Sequence, residues 1–196
     1  MINIAVLKKY EASETFFKKD EIIFREGNKA LFYWQIYCGT VKMVNYSPDG
    51  KEFTQGIFNK GESFGEPPLF TDLDYPSNAV AVDDVTILKL PIDNFLLLLK
   101  ENFEIHKMLT KTLCNRLHYK SMMMREIASH PPEHRIISLI DYFKNKETDN
   151  KKLFEVSLTR QQIADMTGLR VETVIRSIKS LQEKGEVKII NRKVYR

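Results

Sequence analysis

Cysteine is scarce in this chain of 196 residues: there are two, Cys38 and Cys114, far apart and with no CxxC pair. A disulfide framework, a zinc site built on thiolates and a cysteine-ligated cluster therefore have no support. Long apolar runs are missing as well. The first residues, MINIAVLKKYEASETFF, are too briefly apolar for a signal peptide, and no later segment has the length to span a membrane. Leu96 to Leu99 is a local apolar patch only. A reducing, cytoplasmic setting with no membrane partner is the expectation. Nor is there a nucleophile–base constellation, a metal-ligand spacing or a phosphate-cradling loop, so an enzyme is not expected. Proline and glycine are absent from residues 104–129, which leaves nothing to break a helix there.

What is present is 43% apolar and 29% charged, enough for one or two compact domains with real cores. The net charge of +4 is uneven. From Pro131 onward 14 Lys/Arg face 9 Asp/Glu, a net of +5; before it 16 face 17, a net of −1. A basic surplus confined to one end is the bias expected where phosphates are neutralised.

After a mixed, partly helical start anchored by Leu7, Tyr10, Phe16 and Phe17, the texture changes at Glu21. EIIF, LFYWQIY, TVKMVNY, FTQGIF, NAVAV and VTILKL are short β-branched and aromatic runs. Turn signals such as Glu26-Gly27-Asn28, Cys38-Gly39, Asp49-Gly50 and Lys60-Gly61 separate them. That spacing predicts an antiparallel sandwich or barrel, with Asp49-Gly50 a hairpin turn. Beyond Pro91 the period becomes helical, with a short helix from Ile92 to Phe103 and a long one over residues 104–129. In the latter, Thr110, Leu113, Leu117, Lys120, Met124 and Ile127 recur at three and four residues, a heptad seam with one cationic interruption. Such a stripe packs either on the chain's own β-domain or against a second copy. His130-Pro131-Pro132 ends the helix and marks a hinge. A helix from Glu133 to Phe143 follows, then a polar connection over residues 144–153.

The last stretch, LTRQQIADMTGLRVETVIRSIKSLQEKG from Leu158, reads as two helices joined at Gly168. Thr159 is the expected N-cap of the first. In the second, Val174, Ile178 and Leu181 make one apolar stripe, and Arg170, Glu172, Thr173, Arg176 and Lys179 lie on the other side. Taken alone, a solvated amphipathic pair would have the same pattern. The residues that follow, with Val187 and Ile189 on one side of Asn191-Arg192 and Val194 on the other, add a hairpin. Helix, turn, helix, hairpin is a winged helix-turn-helix.

A β-roll, a long helix, a hinge and a winged helix-turn-helix, in that order, resemble the Crp/Fnr family of bacterial transcription regulators. Phe24-Arg25-Glu26-Gly27, Tyr37-Cys38-Gly39-Thr40-Val41, Asp49-Gly50-Lys51 and Gly61-Glu62-Ser63-Phe64-Gly65-Glu66 follow the cyclic-nucleotide-binding pattern. Leu158-Thr159-Arg160-Gln161-Gln162-Ile163-Ala164 and Val171-Glu172-Thr173-Val174-Ile175-Arg176 follow the DNA-reading motif. The resemblance covers nearly the whole chain. It implies an α+β chain: an N-terminal antiparallel β-roll of the jelly-roll type over residues 1–103, a dimerisation helix and hinge over 104–130, and a winged helix-turn-helix over 131–196. It implies a homodimer on double-stranded DNA, with RNA polymerase as a candidate further partner and residues 144–153 as a candidate contact loop.

For the DNA contacts, the resemblance places Arg176 on a guanine, through the O6 and N7 acceptors that an arginine fork fits. It places Glu172 on a cytosine amine, and Thr173, Thr159, Arg160 and Gln161 on phosphates, where they fix register rather than sequence. Lys179 is one turn beyond Arg176 and within reach of phosphate. Val171 stands where the cyclic-AMP receptors have a second guanine-reading arginine, so the half-site is expected to be of the TTGA type. Ile175 replaces a small polar residue, and Arg170 replaces a capping Ser or Thr, a loss of about 1 kcal/mol.

For the effector, the resemblance points to Gly65, Glu66, Pro76, Ser77 and, on the long helix, Ser121. In nucleotide-responding members, an Arg-Ser pair ends the phosphate cassette. Here Pro76 occupies the arginine position, and residues 67–75 hold no Arg or Lys but do hold Asp72 and Asp74. A buried phosphate would lack compensation, so cyclic AMP and cyclic GMP are not expected, and a turn that binds nothing is the plainer reading of Gly65-Glu66. Four cysteine ligands for an iron–sulfur cluster are lacking. Haem is not expected either: His106, His118, His130 and His134 are candidates by residue type only. Cys114, a lone helical thiol, is more simply a small hydrophobe than a redox sensor. A different class of function, a ligand-sensing module acting through protein contacts, is weakened by the intact Thr159-Arg160-Gln161 and Glu172/Arg176 sets.

Overall fold

The computed structural model describes residues 2–71, 73–146 and 153–196. Two compact units divide it, Met1–Cys114 and Asn115–Arg196. In the first, helix α1 (Ile4–Lys9) starts at Asn3, whose side chain accepts from the Ala5 N–H. Strands β1 (Ser13–Phe17), β2 (Ile22–Phe24), β3 (Phe32–Cys38), β4 (Val41–Tyr46), β5 (Glu52–Phe58), β6 (Ser63–Phe64), β7 (Asn78–Ala81) and β8 (Val85–Pro91) follow. A 3-10 turn at Pro67–Phe70 lies between β6 and β7. The strands form two four-stranded sheets, β1-β8-β3-β6 and β2-β7-β4-β5, paired antiparallel throughout. The antiparallel β-roll read from the sequence is thus present.

The runs that lack clean alternation have a reason. Strands β3 and β8 are covered on both faces. On one face Trp34, Ile36 and Ile87 join Phe24, Val41, Phe64, Tyr75 and Ala79 between the sheets. On the other, Tyr33, Leu88 and Leu90 pack with Leu7 of α1 and with Phe95, Leu98 and Leu99 of α2 (Ile92–Glu101). The chain passes from β3 in one sheet to β4 in the other at Gly39, with φ of 93°. A Cβ there would sit 2.6 Å from the Asp84 carbonyl oxygen and 2.8 Å from Asp83 Oδ1. The same Asp83 oxygen accepts from the Thr40 N–H at 2.7 Å. Only glycine fits that corner.

The partly helical start expected of residues 1–20 is present as α1, with Leu7 fully buried; what the sequence did not show is the strand that follows it. The helix stops at Lys9, and Ser13–Phe17 pairs along β8. This strand is the sheet's edge, and Phe16 is exposed. With little apolar face to bury beyond Phe17, which packs against the core between the sheets, it leaves no clear alternation in the sequence.

Helix α3 (Phe103–Ser129) runs for 27 residues without a break, and the boundary between the units falls inside it. No helix among the described residues is long and apolar enough to cross a membrane. In the second unit, α4 (Pro132–Lys146), α5 (Arg160–Thr167) and α6 (Val171–Glu183) enclose Ile136, Leu139, Ile140, Ile163, Ala164, Val174, Ile178 and Leu181, all buried. The wing is β9 (Lys188–Ile190) and β10 (Lys193–Tyr195), joined by Asn191 and Arg192, both at positive φ. That is the geometry of a two-residue hairpin turn. Ahead of α5, Phe154 and Arg196 exchange two backbone hydrogen bonds of 2.9 Å, and the Val156 N–H donates to Val194. The wing therefore has a third extended segment, which the sequence reading left unassigned between the connection and Leu158.

Candidate nucleic-acid interface

The two helices of the reading element are fixed by local chemistry. The Thr159 hydroxyl oxygen accepts from the Gln162 N–H at 3.1 Å, and Gln162 Oε1 accepts from the Thr159 N–H at 2.8 Å. This capping box closes the first turn of α5, yet leaves the Arg160 and Gln161 N–H groups without intrahelical acceptors. Those donors and the helix dipole favour an anion at the start of α5, where Arg160 is half-buried. Burial pulls Arg160 below its ordinary pKa, but a guanidinium stays charged in a protein. Gln161 Nε2 donates to Asp165 Oδ1 at 2.8 Å, so its amide is partly committed within the helix.

Helix α5 stops at Gly168, which is left-handed at φ 68° and returns its N–H to Ala164. Arg170 is the N-cap of α6 and makes no side-chain cap bond, as the residue type foretold. From there Val174, Ser177, Ile178 and Leu181 face inward, while Arg170, Glu172, Ile175, Arg176 and Lys179 are exposed. Val171 and Thr173 are half-buried at the start of the helix. Side chains four apart project together, so Glu172 and Arg176 make one exposed donor–acceptor pair. Neither side chain has an ion pair or hydrogen bond among the described residues. The element thus presents a helix start with free N–H donors beside a helix with a polar front.

The residues picked out for an effector fall into two sets. Gly65 has φ of 72°, and a Cβ on it would meet the Phe24 ring at 2.8 Å. Phe24 itself stacks on Tyr75, with ring centroids 3.7 Å apart. Glu66 is 1% exposed, and its carboxylate accepts from the Ser63 hydroxyl. Pro76 is exposed, and its carbonyl accepts from Asn45 Nδ2 at 2.8 Å. Ser77 is fully buried, and its hydroxyl has no partner. Asp74 pairs with Lys29 at 2.7 Å; Asp72 lies outside the described residues. Ser121 is exposed on α3, in the second unit.

Two families divide the chain in the same way. The cyclic nucleotide-binding domain matches residues 14–102, and the Crp-like helix-turn-helix domain matches residues 134–195. The chain belongs to the Crp/Fnr family of transcription regulators. Among relatives, the global nitrogen regulator of Nostoc sp. is 28% identical over 91% of this chain and 82% of its own length. The cyclic AMP receptor protein of Thermus thermophilus is 25% identical over 85% and 76%. In fold, a CooA mutant from Carboxydothermus hydrogenoformans superposes with a TM-score of 0.82 at 20% identity, covering 100% of this chain and 86% of that one. The Crp/Fnr architecture is therefore present from the first strand to the wing, and the chain is a DNA-binding transcription regulator of this type.

Within that frame the motif residues Thr159, Arg160, Gln161, Arg170, Val171, Glu172, Thr173, Arg176 and Lys179 all gather at the starts of α5 and α6 and along the outer side of α6. The motif did not include Lys188 and Arg192, exposed cations of the wing; a hairpin rich in Lys and Arg was the signal for them. It also passed over Glu126, which the fold brings together with His130 and His134 at the α3–α4 corner. Spacing of four and four through a proline hinge is not a metal signature that a sequence displays.

Proposed function

We propose that the chain acts as a homodimer that reads a TTGA-like palindrome in the major groove, without control by cyclic AMP. The observation that carries the proposal is the exposed Glu172/Arg176 pair on α6, opposite the buried Val174, Ile178 and Leu181. Arg176 takes the guanine, Glu172 the facing cytosine, and the start of α5 holds the backbone phosphate. Val171, short and half-buried at the first turn, has no donor for a second guanine.

A second copy is supported by α3. Phe103, Thr110, Leu117 and Met124 recur every seven residues and are exposed, Leu117 at 66% and Met124 at 69%. Leu113 and Ile127 of the same seam are half-buried within the chain. An apolar line of that period fits a parallel helix partner, and a symmetric protein suits a symmetric site.

Indifference to cyclic AMP is supported by Pro76 in place of an arginine and by the burial of Glu66 against Ser63. The relatives' names do not assign an effector: one is a nitrogen regulator, another a cyclic AMP receptor. The buried, unpartnered Ser77 hydroxyl leaves one hydrogen-bonding position for a small ligand other than a cyclic nucleotide. The chain works in the cytoplasm and meets RNA polymerase; the loop assigned to that contact falls mostly in residues 147–152, outside the described residues.

The test is fluorescence anisotropy on a TTGA palindrome, a TGTGA palindrome and a scrambled duplex over a salt series, with and without cyclic AMP. Preference for TTGA, a steep salt slope and no response to cyclic AMP are expected. Equal binding to all three duplexes, or strong activation by cyclic AMP, would overturn the reading.

A further inference from the structure

The corner between α3 and α4 carries a cluster that the DNA-reading function does not use. Glu126 lies on the last turn of α3, His130 one turn on, and His134 in the first turn of α4. One ligand atom from each lies within 4.8 Å of the others. Glu126 Oε2 is 2.5 Å from His134 Nδ1 and 3.6 Å from His130 Nδ1. The two imidazoles stack, with centroids 4.3 Å apart and planes 18° from parallel.

Two features set this cluster apart from a polar surface. The Glu126 carboxylate is 1% exposed, an anion withdrawn from water. Its one neighbouring guanidinium, Arg125, is 3.5 Å away on an exposed side chain. The charge is otherwise met by hydrogen bonds from the side chains of His134 and Ser138. Second, His130 Nδ1 is buried and has no hydrogen-bond partner. It faces the carboxylate at a distance too long for a hydrogen bond.

We propose that Glu126, His130 and His134 form a binding site for a divalent transition-metal ion of the zinc, cobalt or nickel type. Two imidazole nitrogens are borderline donors, and their majority over the single hard carboxylate favours these ions over magnesium or calcium. Metal–ligand bonds of about 2.0–2.1 Å at tetrahedral angles put donor atoms about 3.3 Å apart. The Glu126–His130 separation is already near that value. The Glu126–His134 separation opens by under about 1 Å as the ion replaces the proton between them. The buried anion gains its countercharge, and the orphaned nitrogen gains a partner.

The surroundings suit the role. The Ser138 side chain hydrogen-bonds to Glu126, and Arg135 Nε donates to the His130 carbonyl at 2.8 Å. Both hold ligand residues in place from behind. His134 is half-exposed, which gives a hydrated ion an entry and leaves a fourth position for water. A bound ion fastens the end of α3 to the start of α4, the helix that leads into the reading element. This inference does not depend on the DNA sequence preference.

The test is titration of the full chain with Co²⁺, in a Cys38→Ser/Cys114→Ser background because both thiols are exposed. One equivalent per chain with visible ligand-field absorption is expected, and Zn²⁺ should displace it. His134→Gln, at a half-exposed position that keeps the fold intact, should weaken Co²⁺ binding by about tenfold or more. His130→Gln should do the same, and Zn²⁺ should raise the melting temperature of the parent but of neither variant. Equal Co²⁺ affinity in the parent and both variants would overturn the site, as would no saturable uptake below millimolar ion. No DNA is present in the assay, so its failure would leave the reading of the palindrome untouched.

Discussion

Arg176→Ala separates recognition from folding. The side chain is exposed on the outer side of α6 and has no partner among the described residues. Its removal opens no cavity and orphans no buried group. Alanine is also the better helix former by a few tenths of a kcal/mol. Stability should therefore stay within about 0.5 kcal/mol of the parent. Binding should not. Loss of a bidentate arginine–guanine contact costs about 1–3 kcal/mol for each half-site, a factor of roughly 5 to 150 in affinity per half-site. The loss should be confined to one G·C pair in each half. The assay is anisotropy against a panel of palindromes with each symmetric base pair exchanged in turn, beside a urea melt of the same preparation. A variant that melts like the parent and still discriminates that G·C pair in full would refute the assignment of Arg176.

Other expectations follow from the same geometry. Lys179→Ala should weaken binding to all duplexes alike and lower the salt slope by about 1, seen in the same titrations. Gly39→Ala should destabilise by about 2–5 kcal/mol, since left-handed strain adds to a backbone clash. Gly61→Ala has a similar φ of 86° and open space around it, so only the strain of about 1–3 kcal/mol applies; urea melts that rank the two equally would contradict this. Ile178→Ala, at a site 1% exposed, should cost about 2–5 kcal/mol of unfolding free energy. Thr159→Ala removes the N-cap acceptor of α5 and should cost about 1 kcal/mol, measured in the same way.

Most of the fold was legible because its signals are local. Asn191-Arg192 between apolar residues, Thr159 three residues before Gln162, and glycine at 39 and 168 each impose a backbone geometry without help from distant parts. The strands of the β-roll were legible from composition, even where β3 and β8 are covered on both faces. What escaped was whatever depends on partners far along the chain. Strand β1 has little apolar face, and its only reason to be a strand is the open edge of β8. Phe154 and Val156 pair with the last residues of the sequence. The heptad stripe did not reveal that Leu113 and Ile127 would be half-buried at home while Leu117 and Met124 stayed outside. In the reading element, spacing alone separated inner from outer residues. The Glu126 cluster needed the turn at Pro131 before its two imidazoles could meet.

Helix α6 keeps its two duties on opposite sides, and this bears on how such a protein changes over generations. Its inner side is committed to the core through Val174, Ile178 and Leu181; positions 170, 172, 175, 176 and 179 are exposed. Substitutions at 172, 175, 176 and 179 leave the packing alone and fall within about 0.5 kcal/mol of neutral for folding, while position 170, the N-cap, is worth about 1 kcal/mol. A duplicated copy can therefore drift to a new set of promoters through single replacements, each intermediate remaining folded. On the proposed reading, the same separation makes positions 172, 175, 176 and 179 a library for re-targeting, to be screened for specificity with no parallel screen for stability.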